Sequence, residues 1–419
     1  MKHVPIVILG GGIAGLGASL RARELGEEAI IFEAGSSAGG LLDNFTIEGF
    51  RFDNAVHLSF ATEPIVRNIF DQTPYYTHPS DSRCFDDGIW LKHPVQNNLY
   101  PLDVNTKINY IKSFLSRPDI SNPDNYEDWL ISQYGEKIAN HYPIAYTKKY
   151  WDTLPKELSV NWIGNRMRRA ELDEILFGAF TYETPNTYYT NEMRYPKSGG
   201  YKSFIQTLIN DSKVELNSKA KFIDIKSKQV VFENNQSVTF DRLISSIPLP
   251  ELTKIVNNAP SDVIQASKKL EATSIDLISV GFKKHIDLDL WFYIYDSDIY
   301  ASRAYSPSVK SPDNAPAGCS SLQFEVYQRG RSAKFSPDVL TENIKYAINK
   351  LKIASGEDIV FLHHKRLPWG NVIYDIGMEE NRKIVRDYFL NNEVSTCGRF
   401  GEWAYLWSNQ SLLSGYYSV

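Results

Sequence analysis

The stretch Ile6-Val7-Ile8-Leu9-Gly10-Gly11-Gly12-Ile13-Ala14-Gly15 decides how the rest of the chain is read. Four apolar residues in a row suit a strand buried on both faces. The glycines interrupt it at once. Leu16 to Leu25 then places Leu16, Leu20 and Leu25 near one helical face, with Gly26 positioned to cap the end. Ala29 to Phe32 is a second apolar run, closed by Glu33, 18 residues past Gly15. Strand, glycine turn, helix and second strand ending in an acid form one βαβ unit of the dinucleotide-binding kind. Gly10 makes the tight turn, Gly12 lets the backbone approach a pyrophosphate, and Gly15 lets helix and strand pack closely. The free N–H groups and positive end of the helix meet the phosphates, and Glu33 accepts hydrogen bonds from ribose hydroxyls.

Gly39-Gly40-Leu41 forms a second glycine turn soon after the acid, and Gly49-Phe50-Arg51-Phe52-Asp53 follows it. A nicotinamide domain would normally continue straight into another crossover helix. A second glycine loop beside the first suits a longer cofactor, FAD, whose ribityl and flavin parts cross the domain.

Composition narrows the classes. The chain has 419 residues, 42% hydrophobic and 23% charged, which is enough for two or three lobes and a sizeable core. A net charge of −5 offers no basic field for nucleic acid or an anionic membrane. Cys84, Cys319 and Cys397 make neither a disulfide framework nor a metal-spaced set, so a reducing cytoplasm is expected and no metal site. No apolar run of about 20 residues predicts a membrane span. His363-His364 resembles a metal pair only on paper, because neighbours on a strand point to opposite faces.

Further along, Asp71 to Ser198 is dense in Asn, Asp, Tyr and Pro, with an amphipathic stretch at Tyr126 to Tyr134. Asp241 to Pro248 reads as a buried strand returning to the first domain, after short β segments and an Asn234-Asn235 turn. Ser274 to Gln328 suggests a second sheet, Thr341 to Ile353 and Glu379 to Leu390 suggest helices, and Val394 to Val419 a strand, glycine turn and final helix. The expected division is a discontinuous FAD-binding domain (1–70, 200–260 and 390–419), a mainly helical insertion (71–199) and a β-sheet substrate domain with flanking helices (261–389).

With those residues in place, the chain resembles the FAD amine oxidase and protoporphyrinogen oxidase superfamily and, within it, the UDP-galactopyranose mutases of eukaryotic type. The most specific piece is Gly398-Arg399-Phe400-Gly401-Glu402-Trp403-Ala404-Tyr405-Leu406-Trp407-Ser408-Asn409-Gln410. Pro94-Val95-Gln96-Asn97-Asn98, Trp162-Ile163-Gly164-Asn165-Arg166 and Tyr195-Pro196-Lys197-Ser198-Gly199-Gly200 also match. The resemblance implies an α/β fold: a Rossmann-type FAD-binding domain (GR2-like), an inserted helical region and a second antiparallel β-sheet substrate domain.

The resemblance also assigns roles. Arg399 with Ser408, Asn409 and Gln410 would hold the flavin and ribityl chain, Val56 and His57 would lie beside the isoalloxazine, and Ala220 would offer backbone to the adenine. Arg166 and Tyr405 would bind the diphosphate of a nucleotide-sugar, while Gln96, Trp151 and Tyr293 would line the nucleotide site. Where eukaryotic-type mutases stack the uracil between aromatic rings this chain has His93 and Val95, which leaves base and sugar open. The second diphosphate arginine aligns with Ala301, and Arg303, two residues on and so on the same face of a strand, stands in for it. A tyrosine near the diphosphate is replaced by Asn371, with Tyr374 close by.

The implied reaction interconverts pyranose and furanose forms of a nucleoside-diphosphate sugar. N5 of reduced FAD attacks C1 and expels the diphosphate, a case of covalent catalysis. His57, Arg166, Arg303 and Tyr405 would be the catalytic side chains, the arginine forks binding the departing phosphates. NADPH or NADH would be the external reductant and, lacking a second fingerprint, would share the sugar-nucleotide cleft. An oxidoreductase of the amine oxidase or protoporphyrinogen oxidase type is the alternative, and a non-catalytic flavoprotein a third reading. The resemblance alone suggests polysaccharide biosynthesis, and a homo-oligomer is left open.

Overall fold

Two seven-stranded sheets organise the chain, seen in a computed structural model that describes residues 2–164, 167, 171–185 and 192–419. In the first sheet, Lys2–Leu9 lies between Ser237–Ser245 and Ala29–Phe32, parallel to both. Ser237–Ser245 also pairs in parallel with Val394–Thr396 through its second half and antiparallel with Gln229–Phe232 through its first. The opening strand begins earlier than its apolar run because Lys2, His3 and Val4 are in register with Val238, Thr239 and Phe240. Val7 and Leu9 join a core shared with the helical region, whereas Ile6 and Ile8 pack under helix Ile13–Glu24. Burial on both faces is what the unbroken apolar run records.

The chain end lies on this unit. Helix Ser408–Tyr416 runs against Ile13–Glu24 so closely that a Cβ on Gly17 would collide with the Leu412 carbonyl oxygen. One on Gly415 would collide with that of Ala14.

The second sheet runs in the order Ile359–Leu367, Thr273–Phe282, Ser320–Arg329, Arg303–Tyr305, Trp291–Ile294, Arg83–Asp86, Ile89–Lys92. Period-2 alternation gives it two unlike faces. Phe292, Ala304, Leu322, Phe324 and Val326 point to one side, where Leu340, Ile344 and Ala347 of helix Pro337–Lys350 cover them. Tyr293, Arg303, Glu325 and Tyr327 fall on the opposite parity.

One expectation gains a detail and two are corrected. The segment read as mainly helical holds Val104–Leu115, Tyr126–Tyr134, Ala145–Tyr150 and Leu172–Phe180, but it also supplies the edge hairpin Arg83–Asp86/Ile89–Lys92. Its signal is the Asp87-Gly88 turn, where both residues have positive φ. The helix expected from Thr341 starts at Pro337, because the Ser336 side chain caps Val339 N–H and proline suits the first turn. Finally, Arg303 does not share a face with Ala301. The strand begins at Arg303, and Ala301 packs with Ile299 and Ala304 in the core behind the sheet.

Candidate functional site

The glycine turn is built as a cradle. Gly10 has φ 99°, and a Cβ on Gly15 would strike the Gly10 carbonyl oxygen, so the helix closes directly on the strand. Gly39 and Gly40 (φ 123° and 57°) pair against this turn, with Gly39 N–H donating to Gly11 O at 2.8 Å. Leu41 continues the second turn as part of the short helix Gly40–Leu42. A Cβ built on Gly12 finds nothing nearer than Gly40 Cα at 4.0 Å, so open space lies at the N-terminus of helix Ile13–Glu24, where no side chain caps the first N–H groups.

Glu33 accepts from Gly11 N–H at 2.6 Å and from Gly35 N–H at 2.7 Å, one bond per carboxylate oxygen. Each oxygen keeps lone pairs for a ribose hydroxyl. Ala220 begins an edge strand just after Asn217 and Ser218, whose N–H groups donate to Gly35 O and Glu33 O. Ala220 therefore stands at the Glu33 end of the cradle. These observations fit a dinucleotide: Gly12 to Gly15 for the phosphates, Glu33 for the ribose, and the Ala220 backbone for the base.

The other end of the cradle meets the polar face of the second sheet. Glu325 is fully buried there and gathers three donors: Val56 N–H at 2.8 Å, Tyr327 O–H at 2.6 Å, and Arg303 through Nε. Arg303 and Glu325 are direct cross-strand partners, as are Tyr293 and Arg303. The Arg303 guanidinium also donates to Tyr327 O–H at 2.9 Å and lies 5.3 Å from the Tyr150 ring centre. Its charge is thus already paired with a carboxylate in a dry setting.

His57 follows Val56 on the loop that Glu325 holds. Its Nδ1 is 3.1 Å from Ala55 O, and a carbonyl only accepts, so Nδ1 carries the proton and Nε2 is left as an acceptor. Burial pushes the imidazole down to about 4, which keeps it neutral at pH 7. Beneath the loop, buried Asp53 accepts from Tyr195 O–H at 2.7 Å and Tyr201 N–H at 3.0 Å and pairs with buried Lys310 at 3.5 Å. Burial lowers the Lys310 amine to about 8.

A second set of side chains meets at Tyr150. Its hydroxyl is 3.3 Å from that of Tyr405 and 3.4 Å from Asn371 Oδ1, which also accepts from Arg399 Nη2 at 2.8 Å. Arg399 lies over the Tyr405 ring at 4.7 Å, and Trp151 packs edge-on against Tyr150. Tyr374 is 6.3 Å from Tyr405 between ring centres. Because Arg399 must donate, the Asn371 amide is fixed with Oδ1 toward it. Asn371 Nδ2 and Arg399 Nε are then buried donors without a protein acceptor among the described residues. Such donors suit a ligand rich in acceptor oxygens.

Arg303, Tyr405, Arg399, Asn371, Tyr374 and Trp151 are therefore brought together, and Glu325 links them to Val56 and His57. Tyr293 stands at the edge, its ring 4.7 Å from His93 and 5.5 Å from Tyr146. Gln96 sits on the turn Val95–Asn97, beyond His93. Ser408, Asn409 and Gln410 open the last helix. Ser408 Oγ is 2.9 Å from Tyr201 O–H, Asn409 Nδ2 donates to Glu63, and Gln410 Oε1 accepts from Trp407 N–H. The side chains of Asn409 and Gln410 are thus engaged with the protein. Arg166 lies outside the described residues.

Sequence reading missed Glu325, Tyr150, Tyr327 and the Asp53–Lys310 pair. The alternation Leu322/Phe324/Val326 against Gln323/Glu325/Tyr327 held a signal, since a carboxylate inside a two-faced strand marks the polar side. The two adjacent histidines do diverge, His364 bonding Asp276 at 2.6 Å and His363 facing Phe45. Among the described residues no group of three or more His, Cys, Asp or Glu could hold a metal ion, and no helix is long and apolar enough to cross a membrane.

Comparison with known proteins agrees with the architecture. Residues 8–73 match the model of an NAD(P)-binding Rossmann-like domain. A crystal structure of reduced UDP-galactopyranose mutase superposes with a TM-score of 0.93 at 24% identity, over 99% of this chain and 94% of that one. A putative protoporphyrinogen oxidase from Exiguobacterium sp. 255-15 gives a TM-score of 0.75 at 16% identity, over 100% and 98% of the two chains. Cyclohexylamine oxidase from Brevibacterium oxydans IH-35A gives 0.69 at 13% identity, over the same shares. The fold is therefore the mixed α/β fold, with its Rossmann-like domain, that these enzymes share.

Proposed function

We propose that this chain is an FAD enzyme that interconverts the pyranose and furanose forms of a nucleoside-diphosphate sugar. The observation that carries the reading is the meeting of Arg303, Tyr405, Asn371 and Arg399 at the open end of a dinucleotide cradle. The chain-long likeness to a UDP-galactopyranose mutase supports it. Reduced FAD, when bound, supplies a nucleophile for the anomeric carbon. The protein's own part is to hold the departing diphosphate, with Arg303 and Tyr405 donating to its oxygens. Asn371 Nδ2 adds a donor without charge. Neutral His57 presents Nε2 as an acceptor beside the flavin without adding a cation. Arg166, Gln96, Trp151 and Tyr293 belong to the same proposal as nucleotide-side contacts, with NADPH or NADH as reductant.

One observation favours the alternative oxidoreductase. The Arg303 charge is already balanced by Glu325, and Tyr150, Trp151, Trp162, Tyr374 and Tyr405 form an aromatic wall suited to an apolar or amine substrate. The test is to incubate the reduced protein anaerobically with UDP-galactose, dTDP-fucose and a UDP-N-acetyl sugar. Furanose product with no net oxidation is the expected result. Oxygen consumption when an amine is added to the protein in air, with no furanose from any sugar in the anaerobic arm, overturns the proposal.

A further inference from the structure

Charged side chains meet behind the loop that carries His57: the carboxylates Asp53 and Glu325 and the cations Lys310 and Arg303. Arg303 and Glu325 belong to the polar face already described. Lys310 does not. It ends the short helix Pro307–Lys310 and has no exposed surface. Its amine lies 3.5 Å from Asp53 Oδ2, 4.0 Å from the Tyr305 ring centre and 5.1 Å from that of Tyr195. Two histidines are also near. His78 donates from Nε2 to the Lys310 carbonyl at 2.9 Å, and His57 heads the loop above. Burial lowers both imidazoles, so they stay neutral from pH 7 upward. With its proton, Lys310 brings the sum of the charged groups to zero. Without it, the set carries one negative charge.

A fully buried ammonium is costly to keep. Asp53 already accepts from Tyr195 O–H and Tyr201 N–H, so its oxygens are served without Lys310. The charge of Lys310 is therefore the thing to explain. Reduction places two electrons and one proton on a flavin and leaves it one charge more negative. At an effective dielectric near 20, a cation about 10 Å away favours that change roughly tenfold. The converse also holds, because a new negative charge draws a proton onto a neighbouring amine. Burial lowers the Lys310 amine to about 8, so above that pH it is neutral beside an oxidised cofactor. Reduction there takes up two protons, one on the flavin and one on Nζ. At lower pH it takes up only the flavin's own.

We propose that Lys310 is a positioning residue for the flavin, its buried ammonium balancing the charge that reduction brings to the cofactor. The inference rests on the flavin lying beside His57, as proposed above. The test is a spectroelectrochemical titration of the flavin-loaded protein with dithionite as reductant. One proton per two electrons makes the midpoint potential fall by about 30 mV per pH unit, and two protons by about 59 mV. Wild type is expected to pass from the shallow slope to the steep one near pH 8. Lys310→Met should keep the shallow slope throughout, with reduction at pH 7 about tenfold less favourable, a drop of about 30 mV. Asp53→Asn/Lys310→Met leaves the net charge unchanged and covers the case in which the single variant does not fold. It should return the potential close to that of wild type while the break stays absent. A wild-type line straight through pH 8, or a break that survives in the variants, overturns the proposal. A colourless protein overturns the flavin reading and this inference with it.

Discussion

The glycine turn of the first sheet and the polar face of the second were written into the sequence in different ways. The turn is local: strand, glycines, helix and Glu33 span fewer than 40 consecutive residues, and each glycine can be read from the geometry it must adopt. The polar face is assembled from Tyr293, Arg303 and Glu325, which become neighbours only through antiparallel register. Local pattern can place a cofactor, but it cannot name the carboxylate that will neutralise a distant arginine.

The comparison is tested most severely at Glu325. Glu325→Leu strands the Arg303 charge in a dry site and should cost about 3–5 kcal/mol in urea unfolding. The double variant Arg303→Met/Glu325→Leu replaces the pair by apolar groups of similar size and should recover most of that loss. A single variant as stable as wild type would mean that Arg303 does not depend on this partner. Next is Gly15→Ala, whose Cβ meets the Gly10 carbonyl in the turn. A loss of about 3 kcal/mol is expected, together with purification free of bound chromophore.

The pH response follows in size. His57 and His93 are both held near 4 by burial, whereas an unfolded histidine titrates near ~6.5. Below that value the unfolded chain takes up protons that the folded chain refuses. Stability is therefore full above about 6.5 and is lost as the pH falls toward 4. Thermal melts of wild type against His93→Gln should show a shallower decline for the variant. The smallest effect belongs to Glu33→Gln, which keeps a hydrogen-bond acceptor for Gly35 or Gly11 but loses charge. Dinucleotide binding should weaken about tenfold, near 1.4 kcal/mol, with little change in the unfolding midpoint.

The same contrast explains what was legible. The boundaries of Ala29–Phe32 and Tyr126–Tyr134 were readable because flanking residues end them locally. The hairpin at Asp87-Gly88 is hard to read from the sequence because its short strands sit in a polar, tyrosine-rich stretch and the first of them pairs with Trp291–Ile294, some 200 positions away. Assigning Arg303 to the face of Ala301 assumed a regular strand through both, yet the extended pairing starts only at Arg303. Gly17 and Gly415 look like ordinary helical glycines until the first and last helices are seen to touch through them. The alternation that buries Glu325 was visible in Ser320 to Arg329, but its partner was not.

A flavin seated at the glycine turn, as proposed, would face a ligand site on the polar side of the second sheet. The direct measurement is the visible difference spectrum of the oxidised protein during titration with UDP, for wild type and for Arg303→Met/Glu325→Leu. A saturable perturbation of the flavin bands is expected in wild type and its loss in the double variant, with the chromophore retained in both. A wild-type spectrum that UDP leaves unchanged, or a double variant that titrates like wild type, would contradict it.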